Sequence, residues 1–244
     1  MKQIMTQIWI QLKIDIRDRA TLLVYYLVPL LFYFIMGAVF SSINPQITET
    51  LGASMAIFAI TMGAVLGMPA PIVKLRETGA LRSYRVAGIP GWSVLLAQSV
   101  SAGLHLLVVS IIIFFTAPLF YGAAWPLQPA VWFAVLLVLL LTSLSLGLLI
   151  GVAARSQSVA MMLSQAIFLP TVMFGGIMFP SDMLPPALRM AGRILPATWL
   201  MQAFSSGAYR LDTDTGTLPA LMISLGIGLI AFGLAVFRQR SLVA

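Results

Sequence analysis

The sequence predicts an all-α membrane protein: six transmembrane helices, an N-terminal interfacial helix, and short re-entrant helices between spans five and six. Three observations predict it. First, 60% of the 244 residues are hydrophobic and only 9% are charged, against about a quarter charged in soluble domains. That much apolar surface cannot be hidden from water, so lipid must be the solvent. Second, the apolar residues gather into six runs of spanning length. Third, Lys and Arg lie between those runs rather than inside them. The ~10-residue alternation of barrel strands is missing, and lipid-exposed backbone must then bond within helices.

The first nineteen residues contain Asp15 and Asp18 and lack a continuous apolar core, which argues against a signal peptide. Ile4, Ile8, Leu12 and Ile16 recur every four residues, with Met5 and Trp9 beside them and Lys2, Gln7, Gln11 and Asp18 at polar positions. This pattern predicts a helix over residues 1–19 lying in the inner interface; a solvated leader is the alternative. The spans follow at about 20–40, 51–73, 92–117, 130–153, 159–179 and 218–237, each meeting the ~20 residues a membrane helix needs. No soluble domain interrupts them, so 1–244 reads as a single transmembrane domain.

Between spans two and three stands PIVKLRETGALRSYRVAGIPGW, with Lys74, Arg76, Glu77, Arg82 and Arg85. A charge at the bilayer centre costs ~2.5–3.5 kcal/mol, so residues 74–91 form a loop outside the hydrocarbon. With the N-terminus inside, eleven of the fourteen basic residues are cytoplasmic: Lys2, Lys13, Arg17, Arg19, Lys74, Arg76, Arg82, Arg85, Arg155, Arg238 and Arg240. Only Arg189, Arg193 and Arg210 fall outside, which predicts that both termini are cytoplasmic. The net charge of +7 thus reports topology, and no nucleic-acid partner is expected. Thr78 or Gly79 starts a short helix carrying Leu81, Tyr84 and Arg85, and Gly88, Pro90 and Gly91 turn the chain back into the membrane. Such a helix, held between two spans, serves either as a lever or as a topological anchor alone.

The external connections 41–50 and 118–129 are short. Residues 180–217 are longer. Leu184, Leu188, Ala191 and Leu195 share a helical face, Pro196 ends that helix, Thr198 is placed to cap a second one through Phe204, and Gly207 ends it. Trp199 and Tyr209 suit the membrane boundary. Two short helices dipping into the outer leaflet are expected; an ordinary amphipathic loop is the other reading.

Catalytic chemistry is missing. There is no HExxH pair, no GxSxG elbow and no carboxylate cluster with metal spacing, and the absence of Cys excludes disulfides and thiolate metal sites. No catalytic residue and no metal site is expected. Lys2, Lys13 and Lys74 are followed by Gln, Ile and Leu, so there is no P-loop. None of the six spans contains Asp, Glu, Lys or Arg, which weighs against an ion-coupled carrier. The one histidine, His105, lies mid-span and reads either as a bridge between helices or as part of a pathway. Gly63-x-x-x-Gly67, Gly147-x-x-x-Gly151 and Ser224-x-x-x-Gly228 permit close helix approach. Met161, Met162, Met173, Met178 and Met183 cluster around span five, as lipid-facing packing or as an adaptable apolar surface. Pro69, Pro71 and Pro170 are candidates to bend their helices.

Two stretches carry a family resemblance. KLRETGALRSYRVAGIP (Lys74–Pro90) is similar to the cytoplasmic motif of ABC-2 type exporter permeases: arginine–glutamate, small residues, leucine, then a turn with proline. It departs at Arg82, where an acidic residue is frequent. FLPTVMFGGIMFPSDMLPPALRMAGRILPATWLMQAF (Phe168–Phe204) has the family's order of a proline in span five, paired small residues, Phe-Pro, Leu-Pro, then Pro before an aromatic. The chain resembles the drug and antibiotic resistance group over nearly its whole length.

The resemblance implies a transport subunit in the bacterial or archaeal inner membrane, with no cofactor of its own. ATP and Mg would be bound by two separate cytoplasmic ATPase subunits, and a second permease copy or paralogue would complete the pathway. Lys74, Leu75, Arg76, Glu77, Gly79, Leu81, Arg82, Tyr84 and Arg85 would couple to the ATPases, together with Asp15, Arg17, Asp18 and Arg19. Phe168, Met173, Phe174, Met178 and His105 are candidates for the substrate pathway. Phe179, Pro180, Leu184, Pro185, Pro196 and Trp199 are candidates for the external gate. A lipophilic drug, a lipid or an amphiphilic peptide suits such a pathway, and polysaccharide export shares the architecture. An ion-coupled carrier and a non-transporting membrane scaffold are the competing classes.

Overall fold

The computed structural model describes residues 2–43, 48–179 and 183–241, and among them all regular secondary structure is helical. Among the described residues, six helices are long and apolar enough to cross a membrane. In chain order the helices are α1 (Lys2–Arg17), α2 (Arg19–Ser42), α3 (Leu51–Glu77), α4 (Ala80–Val86), α5 (Gly91–Tyr121), α6 (Pro129–Ala153), α7 (Gln157–Phe174), α8 (Pro186–Gly192), α9 (Pro196–Ala203) and α10 (Thr217–Ser241). The candidate spans are α2, α3, α5, α6, α7 and α10.

The helices do not stop where the apolar runs do. α3 continues one turn beyond Val73, so Lys74, Arg76 and Glu77 ride on the end of the second span rather than in a loop. α5 passes through Pro118 to Tyr121, and α7 ends at Phe174, short of Phe179. Hydrophobicity marks where hydrocarbon ends, whereas backbone geometry marks where a helix ends. The stops here fall at Gly79, Gly122 and the Gly175–Gly176 pair, with Gly79, Gly122 and Gly176 at positive φ.

α3 is the axis of the bundle. Every residue from Leu51 to Thr61 is buried, and the small-residue motifs let its neighbours close in. A Cβ at Gly147 would overlap the Ala64 carbonyl oxygen, and one at Gly151 would stand 2.9 Å from Ile72. Gly63 and Gly67 make room for Tyr25 of α2. On α10, Gly228 lies against Thr142, whose Oγ1 donates to the Ser224 carbonyl at 3.2 Å. These motifs therefore close contacts inside one chain. α3 widens into a π-turn at Met62–Gly67 just before Pro69 and Pro71, prolines that cannot donate to the preceding turn.

α1 packs against α5, with Gln7, Gln11 and Asp15 on its inner side beside Ile4, Ile8 and Leu12. Asp15 is only 3% exposed. It accepts from Ser101 Oγ at 2.5 Å and from Gln11 Nε2 at 2.8 Å. Met5, Trp9, Ile10, Ile14 and Ile16 face outward. Ile16 thus departs from the Ile4–Ile8–Leu12 face, whose other members are half-buried. Lys13 Nζ lies 5.2 Å over the Trp9 ring, an amphipathic pair suited to a membrane boundary.

Candidate functional site

The charged residues of the 74–91 stretch define one end of the bundle, with Arg155 and Arg238 beside them. Gly79 organises it. At φ +71° it adopts a backbone open to glycine at little cost. Its N–H closes the last turn of α3 on the Arg76 carbonyl at 3.1 Å, and its own carbonyl receives the N–H groups of Arg82 and Ser83, starting α4. The chain then turns through Gly88, also at positive φ, and re-enters the bundle at Pro90–Gly91. A seven-residue helix is thereby held between two long ones.

Within this stretch the side chains divide into two sets. Arg76 points inward: its Nη1 donates to the Val152 carbonyl at 2.7 Å and its Nη2 to the Ala154 carbonyl. Those are acceptors at the C-terminal end of α6, where carbonyls lack intrahelical partners and the macrodipole is negative. Glu77 makes the complementary contact. Its Oε2 accepts from Gln157 Nε2 at 2.7 Å and its Oε1 from the Gln157 N–H at 3.3 Å, at the positive N-terminus of α7. Adjacent side chains of α3 thus clamp both sides of the short α6–α7 turn. Arg82, Tyr84 and Val86 face solvent instead, with Val86 86% exposed and Tyr84 38%.

The other coupling candidates are distributed unevenly. Lys74 and Gly79 are exposed, and Leu75 and Leu81 are half-buried; the side chain of Arg85 lies outside the described ones. Arg17, Asp18 and Arg19 are exposed. Asp18 caps α2, accepting from Thr21 Oγ1 at 2.6 Å and from the Ala20 and Thr21 N–H groups. The Thr21 hydroxyl, foremost, holds its carboxyl below the usual aspartate range, with the backbone bonds and the Lys74 charge acting in the same sense. Asp15 is buried against α5 and bonded to Ser101. Arg76 and Glu77 likewise bond within the chain.

The pathway candidates fall into separate clusters. Phe168 is buried with its ring 5.7 Å from Phe58, which stacks at 3.9 Å on Phe32. Met173 is exposed, and Phe174 and Met178 are half-buried. His105 is buried elsewhere, where Nδ1 and the Tyr26 hydroxyl share a 2.7 Å hydrogen bond and Tyr25 stacks on the ring. It bridges α5 to α2.

At the opposite end, α8 and α9 are tied to each other. Thr198 does not cap α9, because its Oγ1 donates to the Gly192 carbonyl at 2.5 Å, and Leu195 holds the N-cap position with Pro196 at the first helical position. Trp199 Nε1 donates to the Arg193 carbonyl at 2.8 Å. The apolar face expected on the first helix is not sealed: Leu188 and Ala191 are exposed, Leu184 and Leu195 half-buried, and Gly192 is the buried position. Phe179 and Pro185 are exposed; Pro180 lies outside the described residues. α9 packs on α10 and α3.

Sequence reasoning missed Val86, Gln157 and the α6 carbonyls as parts of this site. The signal available was the shortness of the Ala154–Ser156 turn, which leaves two helix ends needing partners from elsewhere.

A family model described as "ABC-2 type transporter" matches residues 2–209. The chain is 23% identical over 208 residues to the putative transport permease YvfS of Bacillus subtilis, covering 82% of each chain. It is 26% identical over 208 residues to the inner membrane transport permease YhhJ of Escherichia coli, covering 82% of this chain and 54% of that protein. A shorter match, 35% over 68 residues, covers 28% of this chain and 18% of the probable multidrug ABC transporter permease YbhS of Escherichia coli.

Proposed function

The chain belongs to the ABC-2 type transporter family, and from that premise we propose that it is the membrane half of an ATP-driven exporter. It moves a lipophilic or amphiphilic substrate out of the cytoplasm or inner leaflet. Two ATPase subunits on separate chains bind ATP and Mg and dock beneath it, and a second permease, identical or paralogous, completes the pathway. The basic end faces the cytoplasm, by the positive-inside asymmetry, and both termini lie there. The similarity to the inner membrane transport permease YhhJ supports an inner-membrane location, and the short match to YbhS supports a drug as substrate.

The carrying observation is α4, which presents Arg82, Tyr84 and Val86 to solvent while Arg76 and Glu77 are bonded to the α6–α7 turn. α4 is the docking element, and Lys74, Gly79, Arg17 and Arg19 complete its polar surround. Arg76 and Glu77 carry the push from α3 to the α6–α7 turn. Asp15 acts from inside, keeping α1 on α5. Phe168, Met173, Phe174 and Met178 border the pathway near the gate formed by α8 and α9 with Phe179, Leu184 and Pro185.

The test is co-expression with its genomic neighbours, followed by purification in nanodiscs and identification of any ATPase bound. The ATPase co-purifies with the wild type and is lost from the doubly substituted Arg82→Glu, Tyr84→Ala chain, which still runs as a folded membrane protein. Retention of the ATPase by that variant would overturn the assignment of α4.

A further inference from the structure

Among the described residues three helices widen into a π-turn: α2 at Leu23–Leu27, α3 at Met62–Gly67, and α9 as it ends, at Phe204–Ala208. The first two lie inside membrane spans and pack against each other. They are built alike. Each is followed, after Val28 or Met68, by a proline, Pro29 or Pro69. A proline ring collides with the carbonyl four residues back, and here those carbonyls belong to Tyr25 and Val65, inside the two turns. Widening the turn draws that carbonyl away. In α2 the Val28 N–H accordingly donates to the Leu23 carbonyl, one residue beyond its α-helical partner. Proline alone does not make such a turn, since Pro118 and Pro170 sit inside regular α-helix.

One side chain joins the two turns. Tyr25, only 2% exposed, projects from the α2 turn onto the α3 turn. Its ring occupies the space left by Gly63 and Gly67, where a Cβ would stand 3.1 Å and 2.9 Å from it. The same ring stacks on His105 with 5.7 Å between centroids, and the neighbouring Tyr26 hydroxyl shares its 2.7 Å hydrogen bond with His105 Nδ1. α5, which carries His105, is regular helix at this level. The joint is a ring seated on two glycines and backed by a third helix. On either side of it α3 differs. From Leu51 to Thr61 every residue is buried, whereas beyond Pro69 the helix runs to Lys74, Glu77 and Thr78, all exposed.

We propose that the paired π-turns are one hinge with Tyr25 as its pivot, on which the inner segment of α3, Pro69–Glu77, swings while Leu51–Thr61 stays fixed in the bundle. Helices bend at prolines and π-turns because backbone hydrogen bonds are missing or rearranged there. α3 has both in succession, and neither Pro69 nor Pro71 returns an N–H to the turn before it. Gly63 and Gly67 offer the Tyr25 ring a surface with no side chain to lock into. From Gly67 to Glu77 the helix rises ~15 Å at 1.5 Å per residue, so a change of ~20° in the bend, the size of a sharp kink, moves Glu77 by ~5 Å. The α6–α7 turn, bonded to Arg76 and Glu77, moves with it. That α4 drives this swing rests on the transport reading above; the hinge itself does not.

The test is double electron–electron resonance on the full chain in nanodiscs, which has no native cysteine to compete for label. Nitroxides are placed on Thr78→Cys, at the inner end of α3, and Leu119→Cys, an exposed site at the outer end of α5. A control pair joins Leu119→Cys to Leu218→Cys at the outer end of α10. Dilution with unlabelled chain leaves only distances within one molecule. The distances between positions 78 and 119 are expected to spread ~5 Å wider than those of the control pair. Pro69→Ala with Pro71→Ala restores the missing N–H groups and narrows the spread to the control's width. Gly67→Ala sets a methyl 2.9 Å from the Tyr25 ring and shifts the mean distance between 78 and 119, with the control pair unchanged. Equal widths for the two pairs in the wild-type background overturn the proposal, whether or not the variants fold. So does a spread untouched by the proline substitutions, or a mean distance untouched by Gly67→Ala. None of these readings needs an ATPase or a substrate, so failure of the hinge and failure of the transport reading are told apart.

Discussion

The two ends of the bundle are finished with different chemistry. At the basic end, charged side chains cross between helices: Arg76 closes α6, Glu77 meets α7, and Asp18 caps α2 beside Lys74. At the opposite end, neutral donors dominate: Thr198 to Gly192, Trp199 to Arg193, and the Tyr121 hydroxyl to the Phe34 carbonyl at 2.8 Å. Hydrogen bonds with one charged partner are roughly twice as strong as neutral ones, and those at Arg76 and Glu77 also follow the helix dipoles. At the basic end α3 is fastened to both α6 and α7. The other is packed and neutral, with its ion pair, Arg193–Asp214 at 3.8 Å, left largely in solvent.

Substitutions that break this contrast are ordered by size. Gly147→Leu places a side chain where the Ala64 carbonyl already sits. Overpacking of this kind costs typically 1–3 kcal/mol or more, so the largest loss of folded protein, read by fluorescence-detected size exclusion, is expected here. Arg76→Ala strands the Val152 and Ala154 carbonyls and costs ~2 kcal/mol, since bonds to a charged group contribute about 1.5–3. It lowers the denaturant midpoint, and Arg76→Lys restores only part of it because one ammonium lacks the planar fork.

Asp18→Ala removes a helix cap worth ~1 kcal/mol, and its contribution depends on pH. The folded carboxyl titrates below its ordinary value of 3.8, so its stabilisation is complete above that value and fades as pH falls through the folded one. The difference between wild type and Asp18→Asn is therefore expected to shrink on acidification below about 4, as read by hydrogen exchange at Thr21. The smallest effect belongs to the other end: Asp214→Asn breaks an exposed pair worth ~0–1 kcal/mol and lowers the melting midpoint by no more than about 2–4 degrees.

Much of the architecture was legible because lipid imposes a simple rule on sequence. The six apolar runs correspond to the six long helices, and Gly79, Gly88 and Pro90 announced a short helix with turns on both sides. The seating of α1 was not legible, because the four-residue spacing of Ile4, Ile8, Leu12 and Ile16 marks a helical face without saying what it packs against. Met5, Trp9, Ile10 and Ile14 face outward, while Gln11 and Asp15 meet Ser101 on the same inner side as Ile4, Ile8 and Leu12. The roles of Arg76 and Glu77 were hidden for a different reason. Their partners are eighty residues away and are mostly backbone groups and an amide, which no charge pattern marks. Thr198 shows the limit of a local rule: its position suited an N-cap, yet a carbonyl six residues back, brought close by the α8–α9 turn, was the better partner.

The most direct measurement compares Glu77→Gln with Arg82→Glu, Tyr84→Ala in the reconstituted complex, following ATPase retention and the ratio of substrate export to ATP hydrolysis. The account predicts that Glu77→Gln keeps its ATPase and hydrolyses ATP with export reduced, because the clamp on the α6–α7 turn is weakened while α4 still docks. The α4 variant loses the ATPase altogether. Loss of the ATPase from Glu77→Gln to the same extent would contradict the account and return Glu77 to the docking surface.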